Sequence, residues 1–360
     1  MFLKAFQDFK YMLSKTQLKE IKKELDNCSN PVFLYDNDTD GVTSFLLFYK
    51  YKKAGHGYRH QKHMTDEIEL GNIKRMNPDK LFILDVPAGK ITQDFIDGLK
   101  IPVIHVEHHL TDNKLKGVKT FNPTIKNKKD DTPTSTLCYN VVKQNLWLCA
   151  AGTIADWHIT KETKEFAKKY PDLLDYKIKD QAKALFETKI GLLAKIIDFI
   201  LKGPSFEVRK YMYALMKVNS PEEILEQTTK EGKEIYSYYK KINDEYESLL
   251  QRAVKNAGKD KLLLFEYQAS ETSFTGELSN ELLYRYPDKI ILIARRNNKE
   301  NDVDAEIRCS VRSGTHEVRS KLIKALKGIN GMGGGHARAV GATIRASDFD
   351  RFVEQFRKLI

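Results

Sequence analysis

The sequence is short of the features that mark secreted, membrane-spanning or disulfide-stabilised proteins. It has four cysteines in 360 residues and no Cys-x-x-Cys pair, which argues against a zinc knuckle and a disulfide framework. No run of about 18 apolar residues is present, so no membrane span is expected. The N-terminal residues lack the uninterrupted apolar stretch of a signal peptide. These absences predict a protein of a reducing compartment, by default the cytoplasm.

Several familiar catalytic motifs are also missing. The sequence has no Gly-x-x-x-x-Gly-Lys-Ser/Thr loop for nucleoside triphosphates and no Gly-x-Ser-x-Gly nucleophile elbow. The segment Glu107-His108-His109 has the wrong spacing for the His-Glu-x-x-His helix of zinc proteases. The composition is otherwise that of a soluble protein with a sizeable core, with 41% apolar and 30% charged residues. Its formal net charge of +11 favours anionic partners, above all nucleic acid.

Short apolar runs separated by helical segments organise the first part of the chain. Residues 1–27 read as one or two amphipathic helices, and helices are also predicted over 41–54 and 134–156. The predicted strands cover 32–35, 81–84, 103–106 and 118–121. This alternation indicates an α/β fold with a parallel sheet.

The rest of the chain changes character twice. Residues 160–255 are rich in Lys and Glu, with apolar residues at helical spacing, and predict a helical connector. After residue 258 the α/β alternation returns. Strands are predicted at 262–265, 290–293, 305–311 and 339–344, and helices at 278–286, 316–326 and 347–359. We therefore predict three parts, covering residues 1–160, 161–257 and 258–360.

The segment from Asp36 to Gly41 places three carboxylates within five residues. Asp36, Asp38 and Asp40 repel one another unless cations or hydrogen-bond donors compensate their charge. A calcium loop of the EF-hand type also begins Asp-x-Asp-x-Asp-Gly, but its twelfth position here is Leu47 and a strand precedes it. A solvated acidic turn and a metal site at the end of a strand remain as interpretations.

Other candidate ligands follow later strands and helices. Asp85 follows the second strand, His108 and His109 follow the third, and Asp156 ends the predicted helix. Alone, Asp85 could cap a helix, His108 could be a core histidine and Asp156 a surface residue. Together they offer carboxylate oxygens and imidazoles suited to a binuclear site for Mn²⁺ or a similar ion.

A glycine-rich segment near the C-terminus is a candidate anion site. Consecutive glycines let backbone N–H groups approach an anion, although the segment could also be a flexible loop. In an upstream strand, Arg308, Ser310 and Arg312 would share one face, which could bind phosphate or be solvated. The candidate substrate-binding residues are Ser310, Arg312, Gly334, Gly335, His336 and Arg338.

These motifs resemble those of the DHH phosphoesterase superfamily, in particular its RecJ-like and small oligonucleotide-degrading members. The resembling segments are 36–41, 84–85, 107–109 and 152–156, with Asn-Pro at 122–123 and the Gly-Gly-His signature of a DHHA1 domain at 334–336. The resemblance covers nearly the whole chain. It implies a parallel-sheet DHH domain, a helical connector and a smaller α/β DHHA1 domain, with a cleft between the domains.

The resemblance also implies a site with two Mn²⁺ ions, with Mg²⁺ or Co²⁺ as alternatives. Asp36, Asp38 and Asp85 would hold one ion. Asp40, Asp85, His108 and Asp156 would hold the other, with Asp85 bridging. His109 would contact the scissile phosphate or protonate the leaving oxygen. Glu107 stands where the family has its namesake aspartate, and we expect it to support its neighbours.

The implied function is hydrolysis of single-stranded DNA or RNA by an exonuclease of RecJ type. Because the chain ends at residue 360, without the OB-type domain of bacterial RecJ proteins, we expect a compact, archaeal-type form. Three alternatives stay open. They are a phosphoesterase for small substrates such as oligoribonucleotides, cyclic dinucleotides or bisphosphates, a replication-associated scaffold without activity, and a nucleic-acid binding module with a replication or repair partner.

Overall fold

The computed structural model describes residues 13–60, 65–268, 272–296 and 305–360. The chain divides into two compact units. The first unit comprises residues up to Leu201 together with Arg209–Tyr236, and the second comprises Lys202–Val208 and Ser237–Ile360. None of the helices in the described ranges has both the length and the hydrophobicity that a membrane span requires.

The first unit is built on a sheet of five parallel strands in the order β2-β1-β3-β4-β5. β1, β3 and β4 are buried along their whole length, as expected for parallel strands covered by helices on both faces. Phe33 packs between Phe45 and Phe82 on one face, while Val32 and Leu34 join the core cluster on the other. The strands are β1 (Pro31–Tyr35), β2 (His56–Arg59), β3 (Lys80–Leu84), β4 (Val103–Val106) and β5 (Val118–Phe121).

Helices surround this sheet and continue to residue 255. They are α1 (Lys15–Asp26), α2 (Thr39–Lys52), α3 (Asp66–Arg75), α4 (Gln93–Leu99), α5 (Thr134–Val142), α6 (Leu146–Ala155), α7 (Lys161–Lys169), α8 (Gln181–Phe186), α9 (Lys189–Ile200), α10 (Ser205–Lys217), α11 (Pro221–Leu225) and α12 (Lys230–Lys255). Two short 3-10 turns cover Ala88–Lys90 and Pro123–Ile125. All elements from α7 to α12 are helices. This confirms the prediction that residues 160–255 form helices and no strands.

The predicted strands of the first unit are confirmed, but one predicted helix is divided in two and one strand was not predicted. The segment 134–156 is two helices, because Lys143 and Asn145 adopt left-handed backbone angles (φ 53° and 55°) that end α5 and precede α6. Strand β2 was missed, and it is one of the two edge strands of the sheet. Of the helical segment predicted at 1–27, residues 1–12 lie outside the described residues.

The second unit contains a mixed sheet in the order β6-β7-β8-β10-β9. β6 and β7 are parallel, and the other neighbours are antiparallel. Phe349 and Phe352 of the last helix pack against the buried face of the sheet. The elements are β6 (Leu262–Gln268), α13 (Thr275–Arg285), β7 (Ile290–Arg296), β8 (Glu306–Ser313), α14 (Arg319–Ala325), β9 (Gly331–His336), β10 (Ala339–Arg345) and α15 (Ala346–Arg357).

The glycine-rich segment forms an exposed edge strand, where the sequence suggested an anion-binding or flexible loop. β9 pairs along its length with β10, from Gly331 opposite Ile344 to His336 opposite Ala339. Because glycine is depleted in strands, the residues of this segment do not predict a strand. The ladder to β10 provides the hydrogen bonds that the segment's own side chains cannot.

Candidate metal centre

Three acidic residues directly follow the carboxyl ends of neighbouring strands. Asp36 follows β1, Asp85 follows β3 and Glu107 follows β4, and each is at most 7% exposed. The ladder continues through them, because Asp36 N donates to Leu84 O (3.2 Å) and Asp85 N donates to Val106 O (3.0 Å). The parallel register of the strands therefore fixes the spacing of these three positions. They lie at the edge of the sheet where ligands of open α/β folds bind.

Helix α2 adds two further carboxylates. Asp38 caps the helix by accepting a hydrogen bond from Gly41 N (2.9 Å), and Asp40 lies in its first turn. A Cβ atom on Gly41 would lie 2.5 Å from the carbonyl oxygen of Asp36. A glycine is thus required for α2 to begin this close to the end of β1.

Four of the predicted ligands converge, and we refer to Asp40, Asp85, His108 and Asp156 as the ligand cluster. Potential ligand atoms of Asp40, His108 and Asp156 all lie within 4.8 Å of one another. The same holds for Asp85, His108 and His109. His108 belongs to both groups, and its Nε2 lies 3.4 Å from Asp85 Oδ1.

Helix α5 holds the two buried carboxylates of the cluster. Asp40 accepts hydrogen bonds from the backbone N–H groups of Thr134 (2.8 Å) and Ser135 (3.0 Å), at the positive end of the helix dipole. Asp85 Oδ1 accepts a hydrogen bond from Thr134 Oγ1 (2.9 Å). Asp85 also has a left-handed backbone (φ 64°), a conformation that is unfavourable for a non-glycine residue and is often found at functional sites.

The tautomer of His108 follows from its hydrogen bonds. Its Nδ1 lies 3.0 Å from the carbonyl oxygen of Asp131, which can only accept, so Nδ1 carries a proton. In the neutral ring, Nε2 then presents a lone pair towards Asp85. A carbonyl partner on the far nitrogen is the usual arrangement of a metal-ligating histidine.

The electrostatics of the cluster fit a bound cation. Burial, followed by the charge of Asp156 for Asp40 and of Asp40 for Asp85, raises the pKa of both carboxyl groups. Burial alone would lower the pKa of His108, but the surrounding carboxylates outweigh it and hold that pKa well above its ordinary value. Asp156 Oδ2 is buried and has no hydrogen-bond partner among the described residues. A buried anionic oxygen without a donor suits coordination by a hard cation.

Asp36 has a different environment. Its Oδ2 lies 2.6 Å from Lys90 Nζ, and its Oδ1 accepts a hydrogen bond from Asn37 N (2.8 Å). Asp38 is solvent-exposed, but close packing of protein around its carboxylate and the charge of Asp36 raise its pKa to about 7. The structure thus brings Asp36 beside a lysine, whereas the ligand cluster has no lysine or arginine salt bridge among the described residues.

Glu107 contacts the residues around it rather than the ligand cluster. Its Oε2 accepts a hydrogen bond from His109 N (2.7 Å) and lies 3.4 Å from His109 Nδ1. Its Oε1 accepts a hydrogen bond from Asn122 Nδ2, and Asn122 also donates to the carbonyl oxygen of His109 (2.9 Å). Glu107 therefore fixes the backbone of His109, whose side chain is 39% exposed. The His109 ring lies close to the carboxylate, but its Nδ1 makes no hydrogen bond to a described residue.

Sequence reasoning missed two residues of this centre. Lys90 was not considered because a lone lysine in a turn has no motif, although it lies five positions after Asp85. His158 contacts Asp156 Oδ2 (3.3 Å) and Asp131 Oδ1 (3.3 Å). Burial opposes protonation of His158, but these carboxylates outweigh it and raise its pKa to about 10. Its position two residues after a candidate ligand is the signal that could have identified it.

The candidate residues of the second unit lie on β8, β9 and the turn to β10. Arg312 is half-buried and donates to Asn280 Oδ1 (3.1 Å) and to the carbonyl oxygens of Val311 and Val340. Ser310 is buried, with its Oγ 3.0 Å from Ser279 Oγ. Arg308, Ser310 and Arg312 alternate along β8 and share one face, as predicted. Their exposure differs, because Arg308 is exposed whereas Ser310 is buried.

The remaining candidates are more accessible. His336 and Arg338 are exposed, and Arg338 Nη1 donates to Gly314 O (2.8 Å). Gly335 has φ 135°, and a Cβ there would lie 2.5 Å from Ala339 O. A Cβ on Gly334 would meet nothing within 4 Å. The fold itself requires glycine at position 335 but not at position 334.

Comparisons with known proteins agree with this fold. The model of the DHH family, N-terminal domain, matches residues 32–178, and the model of the DHHA1 domain matches residues 263–360. Together they span more than half of the chain, which therefore belongs to the DHH/DHHA1 superfamily of phosphoesterases. A search of curated proteins found no match.

Solved structures show the same fold at low sequence identity. RecJ from Thermus thermophilus in complex with Mn²⁺ matches with a TM-score of 0.62 and 15% identity, over 95% of this chain and 54% of that protein. This chain thus spans about half the length of that relative. A DHH-domain protein described as a member of a family of ribosomal proteins matches with a TM-score of 0.66 and 14% identity, over 98% and 94%. A pGpG-specific phosphodiesterase from Vibrio cholerae matches with a TM-score of 0.51 and 13% identity, over 92% and 98%.

Proposed function

We propose that this protein is a metal-dependent phosphodiesterase that degrades single-stranded DNA or RNA from an end, as a RecJ-type exonuclease does. The observation that carries the proposal is a pair of overlapping groups of potential ligands that share His108, one with Asp40 and Asp156 and the other with Asp85 and His109. The net charge of +11 agrees with a polyanionic substrate. The likeness to a RecJ structure that contains Mn²⁺ supports the choice of metal.

The ligand cluster is the part of the site best suited to hold the ion. It offers three carboxylates and an imidazole, a donor set that suits Mn²⁺ and also accepts Mg²⁺. When bound, the metal would activate a water molecule and stabilise negative charge on the phosphate. The family resemblance predicts a second ion held by Asp36, Asp38 and Asp85, with Asp85 shared between the two.

His109 is the residue that we assign to the substrate. Its ring is partly exposed and lies next to the cluster, with its centroid 4.5 Å from that of His108. In this role His109 would donate a hydrogen bond to a phosphate oxygen, or a proton to the leaving oxygen. Glu107 fixes the backbone of His109 for this role, so the longer side chain in place of aspartate retains a supporting function.

The second unit would bind the nucleic-acid backbone through β9 and the turn that follows it. A side chain at Gly334 would extend into open space, so this part of β9 leaves room for a bound strand. His336 and Arg338 are exposed beside it and would add donors for phosphate. Arg312 and Ser310 would hold the strands beneath this surface, since their polar atoms already bind protein groups.

A second candidate function is hydrolysis of very short oligonucleotides. The pGpG-specific phosphodiesterase has the same fold, and this chain spans 98% of its length.

One experiment tests both candidates. End-labelled single-stranded DNA and RNA of about 30 nucleotides and a 5′-phosphorylated dinucleotide are incubated with the protein and Mn²⁺, and the products are separated over time. Stepwise shortening of the long strands supports the exonuclease. Cleavage of the dinucleotide alone supports the second candidate. Absence of hydrolysis on every substrate, or equal hydrolysis with excess chelator, would contradict a metal-dependent phosphodiesterase.

A further inference from the structure

A lysine occupies the side of the acidic centre that lies away from the ligand cluster. Lys90 Nζ lies 2.6 Å from Asp36 Oδ2, and the side chains of Lys90 and Asp36 are 34% and 10% exposed. Because Asn37 N donates to Asp36 Oδ1 (2.8 Å), both oxygens of this carboxylate already have a partner. Asp36 is therefore compensated by the protein's own positive charge.

The backbone fixes Lys90 in this position. The chain leaves β3 through Asp85, and the next residue, Val86, is tied to β4 because its carbonyl oxygen lies 2.8 Å from His105 Nε2. A 3-10 turn over Ala88–Lys90 follows, closed by a hydrogen bond from Lys90 N to Pro87 O (2.8 Å). The same segment, from Asp85 to Lys90, thus places both Asp85 at the acidic centre and Lys90 next to Asp36. The two side chains are parts of one short, anchored loop.

Lysine and a divalent cation compete for the same carboxylate. Both are positive, and like charges a few ångströms apart repel strongly in a partly buried site. The described residues place no lysine or arginine against the ligand cluster; its basic neighbours are the imidazoles of His108 and of His158, whose Nδ1 lies 3.3 Å from Asp156 Oδ2. An imidazole can lose its proton and bind a metal, which a lysine ammonium at neutral pH does not do. The two sides of the centre therefore differ in their need for a metal ion.

We propose that Lys90 replaces one of the two metal ions, so that the protein holds a single divalent cation at the ligand cluster and an ammonium group beside Asp36. This inference rests on the proposed metal-dependent function and refines it. The ammonium provides a fixed positive charge on the side where a two-metal site would hold its second ion. A lysine also binds phosphate oxygens as a point charge, so Lys90 would contact the substrate phosphate from this side.

The number of bound ions tests the inference independently of activity. Metal-free protein is titrated with Mn²⁺ at pH 7.5, with calorimetry for the stoichiometry and electron paramagnetic resonance for coupling between neighbouring ions. The variants are Lys90→Met, which removes the charge, and Lys90→Arg, which retains it. Lys119→Met is the matched control, because Lys119, on β5, forms a lysine–carboxylate pair of the same 2.6 Å separation with Glu24. Thermal melting checks that each variant is folded.

We expect one ion per chain in the wild type, in Lys90→Arg and in Lys119→Met. Lys90→Met should bind two ions, the second at least about tenfold more tightly than any further ion binds the wild type, with the coupled spectrum of ions about 4 Å apart. Two tight ions in the wild type, one ion in Lys90→Met, or a second ion gained by Lys119→Met would overturn the role of Lys90. No bound ion in any variant would contradict the metal-dependent function itself, which separates the two failures.

Discussion

The two sides of the acidic centre have their negative charge compensated in different ways. On one side Asp36 lies against the ammonium group of Lys90 and a backbone N–H group. On the other side Asp40 and Asp85 accept hydrogen bonds from the backbone and hydroxyl groups at the start of α5, and Asp85 also faces the imidazole of His108 (3.4 Å). Neutral donors orient a carboxylate but leave its charge in place, and an imidazole, unlike a lysine, readily gives up its proton to bind a metal. That side of the centre can therefore take up a cation from outside the chain.

This difference shows why a crowded row of carboxylates is not by itself a description of a metal site. Asp36 and Asp40 are four residues apart in one motif, yet the strand end and the helix start point them to different partners. The number of acidic residues sets how many cations the centre could bind. The positions of lysines and helix N-termini decide which carboxylates are still free to bind a metal ion.

The largest effect is expected from the buried carboxylate at the heart of the ligand cluster. Asp85→Asn keeps the shape but removes the charge that faces His108. Hydrolysis with Mn²⁺ should fall by about a thousandfold or more, because the site loses both metal affinity and stabilisation of the transition state. Initial rates on a labelled single strand, together with the metal content of the variant, would measure this.

The matched change on the other side is Asp36→Asn. If Lys90 compensates Asp36, the variant should keep its Mn²⁺ and lose less activity than Asp85→Asn. Equal losses of metal in the two variants would mean that both carboxylates are ligands of equal weight and that the two sides do not differ.

A smaller effect is expected from Glu107. Glu107→Gln retains the acceptor for one hydrogen bond but removes the charge beside His109 Nδ1 (3.4 Å). The rate should fall by roughly 10–100-fold, the usual range for a group that orients a residue of a metal site. Mn²⁺ affinity should change little, because Glu107 lies outside the ligand cluster. Steady-state kinetics and a Mn²⁺ titration would separate this result from loss of the metal, which would contradict the assignment.

In the second unit, the expected effect is on binding. Gly334→Ala should weaken binding of a single strand by about tenfold without changing the melting temperature, because the fold leaves space for the methyl group. Gly335→Ala is the contrasting variant, since its Cβ would meet Ala339 O and its φ is 135°. It should lower the melting temperature. Fluorescence anisotropy with a labelled oligonucleotide measures the affinity, and unchanged binding in Gly334→Ala would contradict a role for this surface.

The smallest effect is a pH dependence of stability. Packing around Asp38 and the charge of Asp36 raise its pKa to about 7 in the metal-free protein, so the folded state binds this proton more tightly than the unfolded state. The resulting stability is present below about pH 4 and is lost as the pH rises to about 7. Relative to Asp38→Asn, the melting temperature of metal-free wild type should fall by roughly 2–4 °C across this range.

Added Mn²⁺ should reverse that trend. Metal and proton compete for Asp40 and Asp85, whose pKa values burial also raises, so the gain in melting temperature on adding Mn²⁺ should be larger at pH 8 than at pH 6. Differential scanning fluorimetry with chelator or with Mn²⁺ provides both comparisons. Parallel pH profiles for the wild type and Asp38→Asn without metal would contradict the raised pKa.

Most of the fold could be predicted from local sequence patterns. The elements that were predicted wrongly or missed have physical explanations. The buried strands were recognised because parallel strands covered on both faces read as continuous apolar runs. β9 was missed because its glycines carry no strand signal, and its stability comes from pairing with β10. The break between α5 and α6 depends on two residues with left-handed backbone angles, Lys143 and Asn145. A lysine in the sequence does not indicate that conformation.

The site was predictable to the extent that it follows strand ends. Asp85 and His108 could be placed together because parallel strands end at the same edge. Lys90 and His158 could not, because their roles depend on the path of a turn and of a helix end in three dimensions. The ligand roles stay predictions for all six residues, namely Asp36, Asp38, Asp40, Asp85, His108 and Asp156.

The most direct test of the difference between the two sides is anomalous diffraction at the manganese edge from crystals equilibrated with Mn²⁺. The account predicts one strong peak among Asp40, Asp85, His108 and Asp156, with Lys90 still against Asp36. A peak of similar height between Asp36 and Asp38, or no peak at the ligand cluster, would contradict it.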